Sequence, residues 1–227
     1  PFLSAFKDVT LSGFVDVNYL YNFDTHGDTA NRQNSLTTGA NGGVNFIGEN
    51  ENDSFTFESF ALFFDKKITD EHPIGWQVHT YWGEKAKRIT FYGENSSFAT
   101  DGGGGTNDLD RDDIFTVSAA NISWEAPIGK GITFTMGKMY TWIGLELVEN
   151  IGNPNYQHGI LYNNAIPFTH TGISVDFSNF MPEGLTTKLY LVNGWDSFID
   201  NNESKSVGWY LSYEPNEDWF FSLAGIH

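Results

Sequence analysis

Hydrophobic and polar residues alternate with a period of two along much of this chain. From Val9 to Phe23 the odd positions read Val9, Leu11, Gly13, Val15, Val17, Tyr19, Tyr21 and Phe23, while the even ones include Thr10, Ser12, Asp16, Asn18 and Asn22. Residues two apart share a face of a strand, so this stretch predicts a β-strand with one apolar and one mostly polar face. The pattern recurs at 74–84, 114–126, 169–178, 185–195 and 205–214. Residues 54–65, 131–140 and 218–226 also read as strands, with 54–65 apolar on both faces. The total is about nine strands, with no segment of helical period.

The connections alternate in length. Short, turn-rich ones at Lys66–Pro73, Pro127–Lys130, Asn179–Gly184 and Pro215–Glu217 take turns with long ones at 24–53, 85–113, 141–167 and 196–204. Short turns at one end and long loops at the other are the layout of an antiparallel up-and-down transmembrane β-barrel, its long loops external. Trp124, Tyr213 and Trp219 fall beside short turns and Trp82 and Trp195 near long loops, where interfacial aromatic girdles belong. One barrel domain over 1–227 is expected. Bacterial barrels have even strand numbers, and an open sheet edge cannot face hydrocarbon. An odd count therefore predicts a larger barrel, with C-terminal strands beyond those visible here.

Composition sharpens this reading. Only 18% of the residues are charged and 40% are hydrophobic, yet the longest unbroken apolar run is Phe60–Phe64. A membrane helix needs about 20 apolar residues in a row, so a helical span is excluded and a barrel is not. The net charge of −17 excludes a nucleic-acid partner, which demands a basic footprint, and favours cations in a lumen. Without cysteine there are no disulfides, thiolate metal sites or cysteine nucleophiles.

The polar faces supply candidate pore-lining residues: Asp16, Asn18, His79, Lys138, His170, Asp176 and Lys188. A charge facing lipid at the midplane costs about 2–4 kcal/mol for Lys or Arg, so such residues belong inside. Pairing across the wall is the alternative for each. The segment Trp142 to Phe168 carries Glu146, Glu149 and His158, and folded into the lumen it would form a constriction. The alternative is a solvated external loop. Asp108, Asp110 and Asp112 alternate as calcium-binding carboxylates do, but Gly and Glu are missing from the positions an EF-hand requires. A solvated acidic loop is the alternative there. His170 and Ser174 on one strand face do not make a catalytic pair, and no enzyme is expected.

Residues 119–227 resemble the β-barrel porin, OmpL-like family of bacterial outer membranes. The resemblance rests on Ile122-Ser-Trp-Glu-Ala-Pro-Ile-Gly129, Thr135-Met-Gly-Lys138, Ile143-Gly-Leu-Glu146, Asn153-Pro-Asn-Tyr156, Pro167-Phe-Thr-His-Thr-Gly172 and Leu191-Val-Asn-Gly-Trp-Asp196. It covers roughly half the chain as an ordered set, and the N-terminal half agrees by pattern. Family members are longer than this chain, in keeping with further strands. The resemblance implies an outer-membrane channel, favours the constriction, and names no cargo. The expected partners are outer-membrane lipid and small polar solutes or ions, with a homo-oligomer or an envelope partner protein also open. Two other functions stand beside the channel: a structural barrel sheathing or anchoring an envelope partner, and a soluble carbohydrate-binding β-sandwich.

Overall fold

The computed structural model describes residues 8–20, 54–86, 89, 115–156, 158–197, 199–200 and 204–227. Its strands are β1 (Val9–Leu20), β2 (Ser54–Lys66), β3 (Ile74–Trp82), β4 (Phe115–Ala126), β5 (Ile132–Tyr140), β6 (Thr169–Asp176), β7 (Leu185–Val192), β8 (Ser206–Asn216) and β9 (Trp219–Ile226). They form one nine-stranded sheet in sequence order, every neighbouring pair antiparallel. The fold is the all-β, up-and-down wall expected from the alternation. Among the described residues there is no second sheet, so the carbohydrate-binding sandwich loses its basis.

Cross-strand pairs share a face, so the register sorts side chains across the whole sheet. One row runs Val15, Phe60 and Trp82 across β1 to β3; another runs Phe134, Val175, Leu189 and Trp209 across β5 to β8. On this face Leu11, Val15, Val17, Met136, Leu189 and Leu211 are exposed, although each is a large apolar side chain. An apolar surface that wide is what a soluble protein avoids and a lipid-facing wall requires. Aromatic residues gather at its two ends. Tyr19 with Phe55, and Trp82 with Phe60 and Phe115, lie toward the long loops. Trp124 with Phe134, and Trp219 with Phe221, lie toward the short turns.

Some predicted boundaries shift, for local reasons. β3 stops at Trp82 rather than residue 84 because Gly83, at φ +102°, turns the chain away. β7 stops at Val192 rather than 195, ahead of a turn with Gly194 at φ +130° and Asp196 at φ +50°. β8 runs on through Pro215 to Asn216, so the turn is Glu217–Asp218 and not Pro215–Glu217. The register is irregular between Tyr213 and Asn216, a place where proline's missing N–H breaks no regular ladder bond. A six-residue helix, Ile160–Ala165, interrupts the 141–167 connection; it is too short to register as a periodic pattern. The whole of the expected loop 24–53 and most of 85–113 lie outside the described residues.

Candidate functional site

The second face of the sheet carries Asp16, Asn18, Asp65, Gln77, His79, Asn121, Ser123, Thr135, His170, Ser174, Asp176 and Lys188. Its polar groups are knitted together across strands. Gln77 donates to Asp65 at 3.1 Å, and Asn121 donates to Gln77 at 3.2 Å. Ser123 and Thr135 hydroxyls meet at 2.8 Å. Lys188 pairs with Asp176 at 3.1 Å, and Asp176 also accepts from the amide of Ser178 at 2.8 Å. His79 lies 3.2 Å from Asp65 through Nε2 and 3.2 Å from the Tyr140 hydroxyl through Nδ1. Tyr140 in turn meets Ser118 at 2.7 Å. This Asp–His–Tyr–Ser chain has a catalytic look, but Ser118 is fully buried and donates to the His79 carbonyl, so no substrate reaches its hydroxyl.

Onto this face folds the connection between β5 and β6. At its start Trp142 lies flat on Tyr190, ring centroids 3.6 Å apart, and its indole N–H donates to the Gly225 carbonyl at 3.2 Å. Gly208 makes room: a Cβ there would sit 2.0 Å from the indole. Farther on, the Tyr156 hydroxyl donates to the Asp16 carboxylate at 3.1 and 3.2 Å and accepts from Asn18 at 2.7 Å. The same connection thus touches β9 at one end of the sheet and β1 at the other. Between these anchors Val148, Tyr162 and Phe168 pack with Ala61 and Tyr81 of the wall, flanked by Phe14, Phe63, Tyr140 and Ile166. The two apolar faces expected of 54–65 have this cause, since Ala61 and Phe63 turn toward the connection.

Inside the connection, the Asn153 side chain accepts from the Leu147 amide at 2.8 Å and donates to the Leu147 carbonyl at 2.9 Å. His158 Nε2 donates to that same carbonyl at 2.7 Å, and its ring stacks on Tyr162 with centroids 4.0 Å apart. Glu146 accepts the Gly159 amide at 2.9 Å. The far end is fastened by Asp196, whose Oδ1 accepts the amides of Phe168 at 2.6 Å and Thr169 at 2.9 Å.

The predicted residues therefore separate. Asp16, Asn18 and Glu149 lie where the connection meets the wall, Glu149 within electrostatic reach of Tyr81, Tyr140 and Tyr162, while Glu146 is bonded within the connection itself. His79, Asp176 and Lys188 belong to the cross-strand network. His158 and His170 are buried and bonded inside the packing; His170 Nδ1 donates to the Gly194 carbonyl at 2.9 Å. Lys138 is not on the polar face where it was expected: its ladder partners Ala120 and Thr171 put it in the row of Val78 on the apolar face, buried, with its ammonium donating to the Val117 carbonyl at 2.9 Å. Asp108, Asp110 and Asp112 lie outside the described residues; among those that are described, no three metal-ligating side chains gather.

Sequence reasoning missed three buried charges. Glu58 is the extra residue of a bulge, where Asp16 opposes Ser59 and Val17 opposes Phe57, and it hides inside an apolar run. Lys85, just past β3, is buried with its ammonium on the Asn150 side-chain oxygen. In the sequence Asp196 stands only as the end of the Leu191–Asp196 motif, at the start of a long connection. Burial pushes its carboxyl up to about 6, against the pull of its two amide donors and of the Lys138 charge. Burial likewise pushes the Tyr156 phenol up to about 12, helped by the charges of Glu58 and Asp16.

An antiparallel wall that is apolar outside, hydrogen-bonded inside and crossed by its own connection defines a porin-type β-barrel protein. The sequence profile of the family described as "Putative beta-barrel porin-2, OmpL-like" matches residues 8–227, and the chain belongs to that family. Comparison with curated proteins and with solved structures gives no match. Membership points to a porin-like role, a channel or a structural barrel in contact with membrane and solutes, rather than to catalysis.

Proposed function

We propose that the protein is an outer-membrane channel through which small polar solutes and ions diffuse passively, cations preferentially. One observation carries this reading: the connection between β5 and β6 lies on the polar face, hydrogen-bonded to Asp16, as a constriction does. Asp16 and Glu149 place carboxylates at that meeting point, and clustered charges set the sign of the ions that pass. The overall charge of −17 acts in the same direction.

Membrane insertion requires that β1 and β9 find partners, since unpaired strand edges are not tolerated in hydrocarbon. With nine strands in up-and-down order the two edge strands run the same way. Pairing them directly gives a parallel contact; an all-antiparallel wall needs an odd number of further strands between them.

The test is a planar-bilayer recording with a salt gradient. The proposal expects a stable conductance and a reversal potential of cation-selective sign, moved toward zero by Asp16→Asn combined with Glu149→Gln. An anion-selective sign rejects the cation preference. A second reading, a barrel that sheathes a partner in its interior, is favoured by Leu145, Ile151 and Leu161, which the connection leaves 76%, 62% and 73% exposed. Absence of conductance in a correctly folded protein selects it.

A further inference from the structure

A buried cation stands beside the acidic meeting point of wall and connection without lining the pore. Gly83, at φ +102°, turns the chain off the end of β3 and over the bulge of β2, so closely that a Cβ there would lie 2.9 Å from the Glu58 carbonyl oxygen. Ala86 and Ile89 then pack in the core cluster with Tyr81, Val148 and Tyr162. Lys85 is carried inward with them and is only 2% exposed. An ion buried that deeply needs polar partners in place of its lost water.

The Lys85 ammonium donates to the Asn150 side-chain oxygen. Lysine can only donate, so it takes the oxygen of the amide and leaves the N–H groups for another acceptor. That acceptor is the Tyr156 hydroxyl oxygen, joined to Asn150 by a side-chain hydrogen bond. Tyr156 also accepts from Asn18 at 2.7 Å, and its own hydroxyl donates to the Asp16 carboxylate at 3.1 and 3.2 Å. Every donor along this chain therefore points from the Lys85 ammonium toward the Asp16 carboxylate. Hydrogen bonds aligned in this way polarise one another, and those ending on an ion are roughly twice as strong as neutral ones. Glu58 adds its charge at the carboxylate end, since Tyr156 lies in its field.

We propose that Lys85 is a positioning and specificity-determining residue of the channel. Through Asn150 and Tyr156 it forms a relayed ion pair with Asp16, which fastens the middle of the connection to β1 and offsets part of the charge that passing cations meet. This rests on the channel reading above. A buried charge is screened by salt much less than an exposed one, so the field of Lys85 acts at the constriction even at physiological ionic strength. The strength of the cation preference is thus set by a side chain that never touches the solute.

Single-channel recording of the full chain under a salt gradient tests it. Lys85→Met deletes the charge at similar length, and the cation-to-anion permeability ratio should rise about twofold or more. Lys85→Arg keeps the charge and should restore the wild-type ratio. Asn150→Ala cuts the relay with both charges in place, and its open current should flicker as that of Tyr156→Phe does. An unchanged or lower ratio in Lys85→Met overturns the proposal, as does a steady current in Asn150→Ala. Should Lys85→Met fail to fold, Lys85→Gln decides by the same criterion. If the wild type conducts and these variants behave like it, the channel stands and the relay falls. A folded protein that never conducts removes both.

Discussion

The indole of Trp142 and the phenol of Tyr190 lie face to face, 3.6 Å between centroids and 9° between planes, although one leads out of β5 and the other stands in the middle of β7. The stack reaches past β6 and ends over Gly208, so the start of the crossing connection is locked to three strands that it never joins in sequence. Glycine is required beneath it because any Cβ would overlap the ring.

Gly208→Ala should therefore displace the indole rather than be absorbed. Overpacking of this sort costs about 1–3 kcal/mol. Thermal unfolding of the detergent-solubilised protein should show a lower Tm, and tryptophan fluorescence should shift to the red. An unchanged Tm would mean that Trp142 is not fixed in this position.

Asp196 makes a pH-dependent contribution whose sign can be worked out. Its folded-state value, about 6, lies above the value of about 4 for an unfolded aspartate. The folded protein thus binds this proton more tightly, and the resulting stabilisation is complete below about pH 4 and lost as pH rises through about 6. Asp196→Asn keeps an oxygen for the Phe168 and Thr169 amides without the charge. It should flatten stability between pH 4 and 6 and raise it above wild type at pH 8. Asp196→Ala leaves both amides without that acceptor and should lose about 1–3 kcal/mol at any pH. If the Asn variant is the less stable one at pH 8, the buried-carboxyl account is wrong.

Tyr156→Phe removes the hydroxyl that links the connection to Asp16 and Asn18. Conductance should rise or flicker more, with ladder stability unaffected, because the lost bonds lie outside the sheet. Circular dichroism and bilayer recording on the same preparation check both halves.

The outward assignment of the apolar face is tested by a charge. Leu189, in the row with Val175 and Trp209, should not accept Arg: the cost in a bilayer is about 2–4 kcal/mol near the midplane. Thr186 lies on the other face, opposite Ser212, and Thr186→Arg should be tolerated. Folding yield into lipid vesicles compares them. Equal yields would place both faces in water.

The wall was readable in the sequence because a two-residue period survives every detail of packing. All nine strands were anticipated to within a few residues, and Trp82, Trp124, Tyr213 and Trp219 were expected at the ends of the apolar face, where they stand. Errors cluster at strand ends, where backbone conformation at Gly83, Gly194 and Asp196 decides and hydrophobicity does not. The site was legible only in part. Asp16 and Asn18 announced themselves as polar positions in an alternating strand, and Glu146 and Glu149 as carboxylates in a long connection. Glu58 was hidden because a bulge adds a residue and breaks the alternation that would have flagged it. His158 and His170 looked available in the sequence, yet ring stacking and backbone carbonyls occupy them: Tyr162 and Leu147 of the same connection hold His158, and the more distant Trp142 and Gly194 hold His170.

The Tyr156–Asp16 bond joins residues 140 positions apart, whereas each strand of the sheet pairs with the next one in the chain. Hairpins between successive strands close loops far shorter than this one, some of only a few residues, and form earlier; a contact of such long range pays a larger closure entropy and forms later. Assembly should therefore proceed hairpin by hairpin into a wall with an unobstructed interior, and the crossing connection should settle only afterwards. A nascent barrel would pass through an interval of high permeability before its own chain narrows it.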